Sequence, residues 1–200
     1  MHLMSLVLPE FVSPALLSLE RPLTDDELLR LCESNEVFHV EREPNGQLLV
    51  RKIGGTQAGG ISATLCLHLW EWAEQDGRGQ VFCNTGFILK DGSMRGPRLA
   101  WVSSSKLDAV APELRKGFAP VCPEFVIEIL SWNYTLPELQ EKMRAWIANG
   151  VEVAWLVDPD REVVEIYRPG LKPAVHEGGG VVEGDGPVNG FVLELERIWA

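Results

Sequence analysis

The sequence predicts an α/β (α+β) domain in which a mixed β-sheet is flanked by helices, and three observations predict it. FVIEILS (Phe125–Ser131) and EVAWLVD (Glu152–Asp158) are short apolar runs of strand length, separated by a helical segment that Gly150 closes. That order is a βαβ crossover, whose two strands lie parallel and buried. FHVER (Phe38–Arg42) and QLLVRKI (Gln47–Ile53) alternate on either side of E-P-N-G, where Asn45 and Gly46 supply the positive φ angles of a tight hairpin turn. Ile61, Leu65, Leu69 and Trp72 recur at helical spacing.

In chain order, residues 1 to about 20 are apolar without a period and read as an extension that packs on another surface, such as a partner subunit. Thr24-Asp25-Asp26-Glu27 is a capping box: the Thr hydroxyl takes the backbone N–H three residues on, and Glu27 reaches back. Leu28, Leu31 and Cys32 then form one helical stripe, and the hairpin follows. The long helix runs from about Gln57 to Glu74, with Gly77 placed to end it. QVFC (80–83) and GFIL (86–89) read as strands, Asp91-Gly92 as a turn, and LAWVS (Leu99–Ser103) as the next strand. After a polar stretch come FVIEILS, a helix over about Thr135–Asn149, and a hairpin of EVAWLVD and VVEIYR around D-P-D-R. A Gly/Pro-rich link from Pro169 leads to a terminal FVLELERIW segment. The expected organisation is an extension (1–20), one domain (21–170) and a tail (171–200) packing on that domain.

The 200 residues, 46% apolar and 24% charged, suit one globular domain. The first segment has no basic n-region and no 18-residue apolar run, so neither a signal peptide nor a membrane span fits, and a cytoplasmic location is expected. Cys32, Cys66, Cys83 and Cys122 are scattered singly without a CxxC pair and read as small core residues rather than as zinc ligands or disulfides. His2, His39, His68 and His176 are dispersed and do not read as ligands. A net charge of −11 opposes nucleic-acid binding unless a local basic cluster or metal ions offset it. Arg42, Arg51, Lys52, Lys90 and Arg95 either form that cluster or belong to a solvated mixed surface.

One residue does not suit its strand. Glu128 shares a face with Val126 and Leu130, and an unpaired buried carboxylate costs several kcal/mol. It is therefore exposed, held in a structural ion pair, or part of a functional cluster. Lys142 sits at the edge of the Leu139–Met143–Trp146 stripe of the following helix, where its stem covers apolar surface and its ammonium reaches across. Glu41, between Val40 and Arg42 on the hairpin, is the second candidate.

This order of residues resembles the large bacterial family known as putative restriction endonucleases, within the PD-(D/E)XK nuclease superfamily. The matching pieces are FHVER with Glu41, TGFILKDGS, GPRLAWV, PEFVIEILS with Glu128, ELQEKMRAWIANGV with Lys142, and WLVDPDREVVEIYRPG, over about Arg21 to Gly170. The resemblance implies a restriction-endonuclease-like core preceded by a helix and a β-hairpin, DNA as substrate, and Mg²⁺ or Mn²⁺ held by acids such as Glu128 and Glu41. It also implies that Lys142 helps to activate water. A hard divalent ion takes oxygen ligands and acidifies bound water.

The chain departs from the family pattern at one place. Where Pro-Asp is expected, it reads Pro97-Arg98, a guanidinium in place of a metal-binding carboxylate. Asp91, seven residues earlier, reads as a turn residue rather than a substitute ligand. Two readings follow for Arg98: it takes the space of the metal and pairs with Glu128, Glu41 or both, leaving no cofactor, or it points outward to phosphate while the two glutamates hold metal weakly. At the level of function the second becomes a weakened or inactivated DNA endonuclease and the first a non-catalytic interaction scaffold. A homodimer is expected in either case.

Overall fold

The computed structural model describes Leu6 and residues 13–199. In chain order the elements are β1 (Ala15–Leu17), α1 (Asp25–Glu33), β2 (Phe38–Arg42), β3 (Leu48–Lys52), α2 (Thr56–Asp76), β4 (Gly79–Cys83), β5 (Phe87–Ile88), β6 (Met94–Arg95) and β7 (Leu99–Ser103). They continue with α3 (Ser104–Asp108), β8 (Phe125–Ile129), α4 (Leu136–Asn149), β9 (Val153–Asp158), β10 (Val163–Tyr167), β11 (Ala174–Glu177), β12 (Val181–Glu183), β13 (Val192–Glu194) and α5 (Glu196–Trp199).

The main sheet has six strands in the order β11-β10-β9-β8-β7-β4. β8 and β9 pair in parallel, with Glu128 opposite Leu156, as the crossover predicts. The alternation of β8 sends its two faces into different cores. Phe125, Ile127 and Ile129 pack with Leu65 and Leu69 of α2. Val126 and Leu130 pack with Leu139, Met143 and Trp146 of α4, and Glu128 is carried on that side. The helix ends follow local chemistry: α1 and α4 both begin with complete capping boxes, at Thr24/Glu27 and Thr135/Glu138. Gly77 and Gly150 end α2 and α4 at φ values of 71° and 117°, a region that favours glycine.

A second sheet, β1-β3-β2-β6-β5, carries the hairpin. Its β2–β3 register pairs Glu41 with Leu49 and Val40 with Val50. Only Phe87–Ile88 of the predicted GFIL strand pairs, and it pairs with β6 in this second sheet. The turn after it begins at once, because Leu89 and Ser93 bond across Asp91-Gly92. Within the N-terminal extension, β1 pairs with β3 and Leu6 packs on the hairpin core, while residues 1–5 and 7–12 lie outside the described residues. Val182, Val188, Phe191, Leu193, Leu195 and Ile198 of the C-terminal segment are buried in the same core as α2 and β8.

Two expectations are corrected. Cys66 and Cys83 are joined in a disulfide between α2 and β4, whereas Cys32 and Cys122 are free thiols; the pairing is a tertiary contact that single spacing does not reveal. Of the five basic residues considered for a surface cluster, Lys52 and Lys90 are exposed but the three arginines are not available to it. Arg42, Arg51 and Arg95 are buried, and each is engaged internally: Arg42 with Asp25, Arg51 with Glu138 and the Asn133 carbonyl, and Arg95 with Glu43. No helix among the described residues is long and apolar enough to cross a membrane.

Candidate active site

Glu41, Glu128 and Lys142 come together between the two sheets. Glu128 is brought by the C-terminal half of β8, Glu41 by β2 and Lys142 by the second turn of α4. All three are buried, at 4%, 6% and 8% exposure. The Lys142 ammonium lies 2.8 Å from Glu41 Oε1 and 2.9 Å from Glu128 Oε1, and it also donates to the Gly96 carbonyl at 3.0 Å. These contacts use all three of its protons. Glu41 Oε1 further accepts the Gly96 N–H at 2.8 Å, and Glu128 Oε1 accepts the Trp146 indole N–H at 3.1 Å.

Arg95 adds a second cation. Its guanidinium forks onto Glu43 at 2.7 and 2.8 Å and lies 3.5 Å from Glu41 Oε2, which accepts no hydrogen bond. Burial pushes the Glu41 carboxyl up, but the charges of Lys142 and Arg95 and the bonds from Lys142 and Gly96 outweigh it and hold the group at about 2. Burial likewise pushes Lys142 down, and the charges of Glu128 and Glu41 reverse this, leaving it raised. A carboxyl depressed in the folded state stabilises the fold above its unfolded value and loses that stabilisation as it is protonated. Unfolding free energy measured in urea against pH is therefore expected to fall by about 3 kcal/mol from this group between roughly pH 4.5 and 2. The Glu41→Gln variant is expected to lack most of that limb.

Arg98 does not pair with the acids, which corrects the first of the two readings. It is half-buried, donates from Nη1 to Asn84 Oδ1 at 3.1 Å, and forms no ion pair with Glu41 or Glu128. The reason is competition, since Lys142 and the Trp146 N–H arrive from α4 and already occupy Glu128 Oε1. Arg98 instead stands at the mouth, where it shares with Glu128, Lys142, His39, Asn84, Asn133 and Tyr134 a cavity of about 10 Å³, room for one water-sized group. Asp91 is the turn residue expected: Ser93 donates to it at 2.9 Å from N and 2.6 Å from Oγ, and Asn149 donates at 2.9 Å.

Several participants were not singled out from sequence. His39 lies two residues before Glu41 on β2, so strand alternation places both on one face, and that signal was available. Burial pushes its imidazole below the ordinary value, and Arg98 and Lys142 add to the effect. Tyr134, under the Arg51 guanidinium at 3.9 Å, and Asn84 come from loops whose position is set by tertiary contacts.

The donor set does not fit a divalent cation. Each carboxylate is already paired with the Lys142 ammonium, and the further charged side chain lining the cavity with Glu128 and Lys142 is a guanidinium, Arg98, rather than an acid. No group of three or more His, Cys, Asp or Glu side chains able to hold a metal occurs among the described residues. The cluster balances its own charge, with Glu41, Glu43 and Glu128 against Arg95, Lys142 and Arg98.

Comparison with known proteins agrees with this architecture. The model of the Uma2 family, "Putative restriction endonuclease", matches residues 25–196. The crystal structure of a putative nuclease belonging to DUF820 from Anabaena variabilis superposes with a TM-score of 0.73 at 20% identity, over 89% of this chain and 98% of that one. A weaker likeness, with a TM-score of 0.40 at 15% identity, covers 61% of this chain and 10% of a chain in a DrdV–DNA complex. No functionally curated protein matches. With a family model spanning most of its length and a restriction-endonuclease-like fold, the chain belongs to the Uma2 family of putative restriction endonucleases.

Proposed function

We propose that this protein is a DNA endonuclease-like member of its family in which phosphodiester hydrolysis is weakened or lost, because the acids of the site are neutralised from within. The observation that carries this reading is the Lys142 ammonium held at 2.8 and 2.9 Å from both carboxylates, with Arg98 rather than an acid at the mouth. In this reading Glu41, Glu128 and Lys142 are the remnant of the catalytic set, and residues 21–170 form the nuclease-like unit, with 1–20 as an extension and 171–200 as a tail. Mg²⁺ or Mn²⁺, the cofactor that the family resemblance implies, is not assigned to Glu128 and Glu41 here, because Lys142 is paired with both. DNA is a weak partner, since net charge is −11 and Arg42, Arg51 and Arg95 are spent internally. Arg98 at the mouth is the cation placed to meet a phosphate. The protein acts in the cytoplasm as a homodimer.

Calorimetric titration with Mg²⁺ and Mn²⁺ tests the reading: no binding is expected at millimolar ion. Binding at millimolar or tighter that Glu128→Ala abolishes would overturn it. The second reading, a scaffold that uses the nuclease fold without chemistry, rests on the same pairing, which leaves neither Glu41 Oε1 nor Glu128 Oε1 free of a cation.

A further inference from the structure

α2 is apolar on more sides than its own fold uses. Its inward stripe, which includes Ile61, Leu65 and Leu69, is buried against the main sheet. On the opposite side Gly60, Ala63, Leu67 and Trp70 follow one another at spacings of three and four residues, and all are exposed, Leu67 at 52% and Trp70 at 51%. A surface helix ordinarily carries its charge on that outer face. Here the acidic side chains of that face, Glu71 and Glu74, stand at the C-terminal end.

The glycines on this face have no reason within the monomer. A Cβ built on Gly59 or Gly60 meets nothing within 4 Å, and neither residue has a positive φ. Glycine inside a helix is destabilising relative to alanine, so the bare backbone at these positions costs stability that no contact in the chain recovers.

The stripe is ordered by size, with small residues in its N-terminal half and large ones in its C-terminal half. Two antiparallel copies related by a two-fold axis between positions 63 and 67 set Trp70 against Gly60 and Leu67 against Ala63, each contact occurring twice. That is the self-complementarity of an isologous interface. The same superposition brings the partner's Glu74 to Thr56 and its Glu71 to Gly59. This first turn has a Gly55 N-cap that makes no side-chain cap bond, and it contains no acidic residue, so it is a positive helix end facing acids. We propose that the outer face of α2 is a homodimer interface, formed by antiparallel packing of α2 on a second copy of this chain.

Sedimentation velocity over roughly 1 to 100 μM protein tests this, a range in which a standard-size interface is populated. A reversible dimer is expected, and Leu67→Glu or Trp70→Glu is expected to weaken it at least roughly tenfold while leaving circular dichroism unchanged. Gly60→Leu is the discriminating variant. In the monomer the added side chain meets open space and favours helix, so the melting temperature of the monomer should rise. In the dimer the same side chain fills the position that receives Trp70, so association should fall. A wild-type protein that stays monomeric throughout would overturn the proposal. So would a dimer that these variants leave intact.

Discussion

Lys142→Met is expected to destabilise the protein by about 3–5 kcal/mol at neutral pH, the cost typical of removing one partner from a buried charge cluster. The side chain is of similar length and loses little packing, so the effect is electrostatic. Glu41 and Glu128, at 6% and 4% exposure, are left facing one another without the ammonium that both contact. Arg95, 3.5 Å from Glu41 and already forked onto Glu43, reaches only one of them. The loss carries a pH signature of opposite sense to the wild-type acid limb. With Lys142 present, Glu41 is held at about 2 and acidification destabilises. Without it, the burial that raises the Glu41 carboxyl is opposed by less positive charge, so this group takes up its proton at higher pH and the gap between variant and wild type narrows as pH falls. Urea unfolding at pH 7 and pH 5 measures both features. Adding Glu41→Gln and Glu128→Gln to the variant is expected to recover most of the loss, because a neutral cluster leaves no unpaired charge. A change below about 1 kcal/mol for Lys142→Met would mean that the cluster behaves as a solvated surface pair.

The parts of this site that were legible in the sequence are those set by local periodicity. Alternation along FVIEILS puts Glu128 on the α4 side, and the stripe of α4 puts Lys142 at its edge, so the ion pair between them follows from two one-dimensional patterns and one crossover rule. What was not legible depends on contacts between segments distant in sequence. Arg95 reaches Glu43 across 52 positions, and nothing in S-M-R-G announces it. The expectation that Arg98 pairs with the glutamates failed for the same reason. Charge alone makes Arg98 and Lys142 equal candidates, and the choice is made by α4, which delivers Lys142 and the Trp146 N–H directly onto Glu128. Similarly, GFIL is readable as extended, but its membership of the hairpin sheet is decided by pairing with β6.

Register makes position 98 the place to test the chemistry. β7 pairs antiparallel with β8, the ladder ending at Leu99 opposite Ile127, and continuing that register by one step sets position 98 toward Glu128, with which it lines one cavity. Directly opposed residues share a face, with Cβ atoms about 4.5–5.5 Å apart, close enough for two carboxylates to share one divalent ion. Arg98→Asp therefore replaces a mouth cation with an acid beside Glu128 and changes the local balance by two charges. The variant is expected to bind Mn²⁺ at least roughly tenfold more tightly than the wild type, equivalent to about 1.4 kcal/mol. Plasmid DNA is expected to be nicked by the variant in Mg²⁺ or Mn²⁺ at a rate well above that of the wild type. Arg98→Asn serves as control, since it removes the cation without adding a ligand charge and is expected to stay close to wild type in both assays. Equal cleavage by the wild type and Arg98→Asp would show that the acids Glu41 and Glu128 work despite their pairing with Lys142, and the view of this site as internally neutralised would fall.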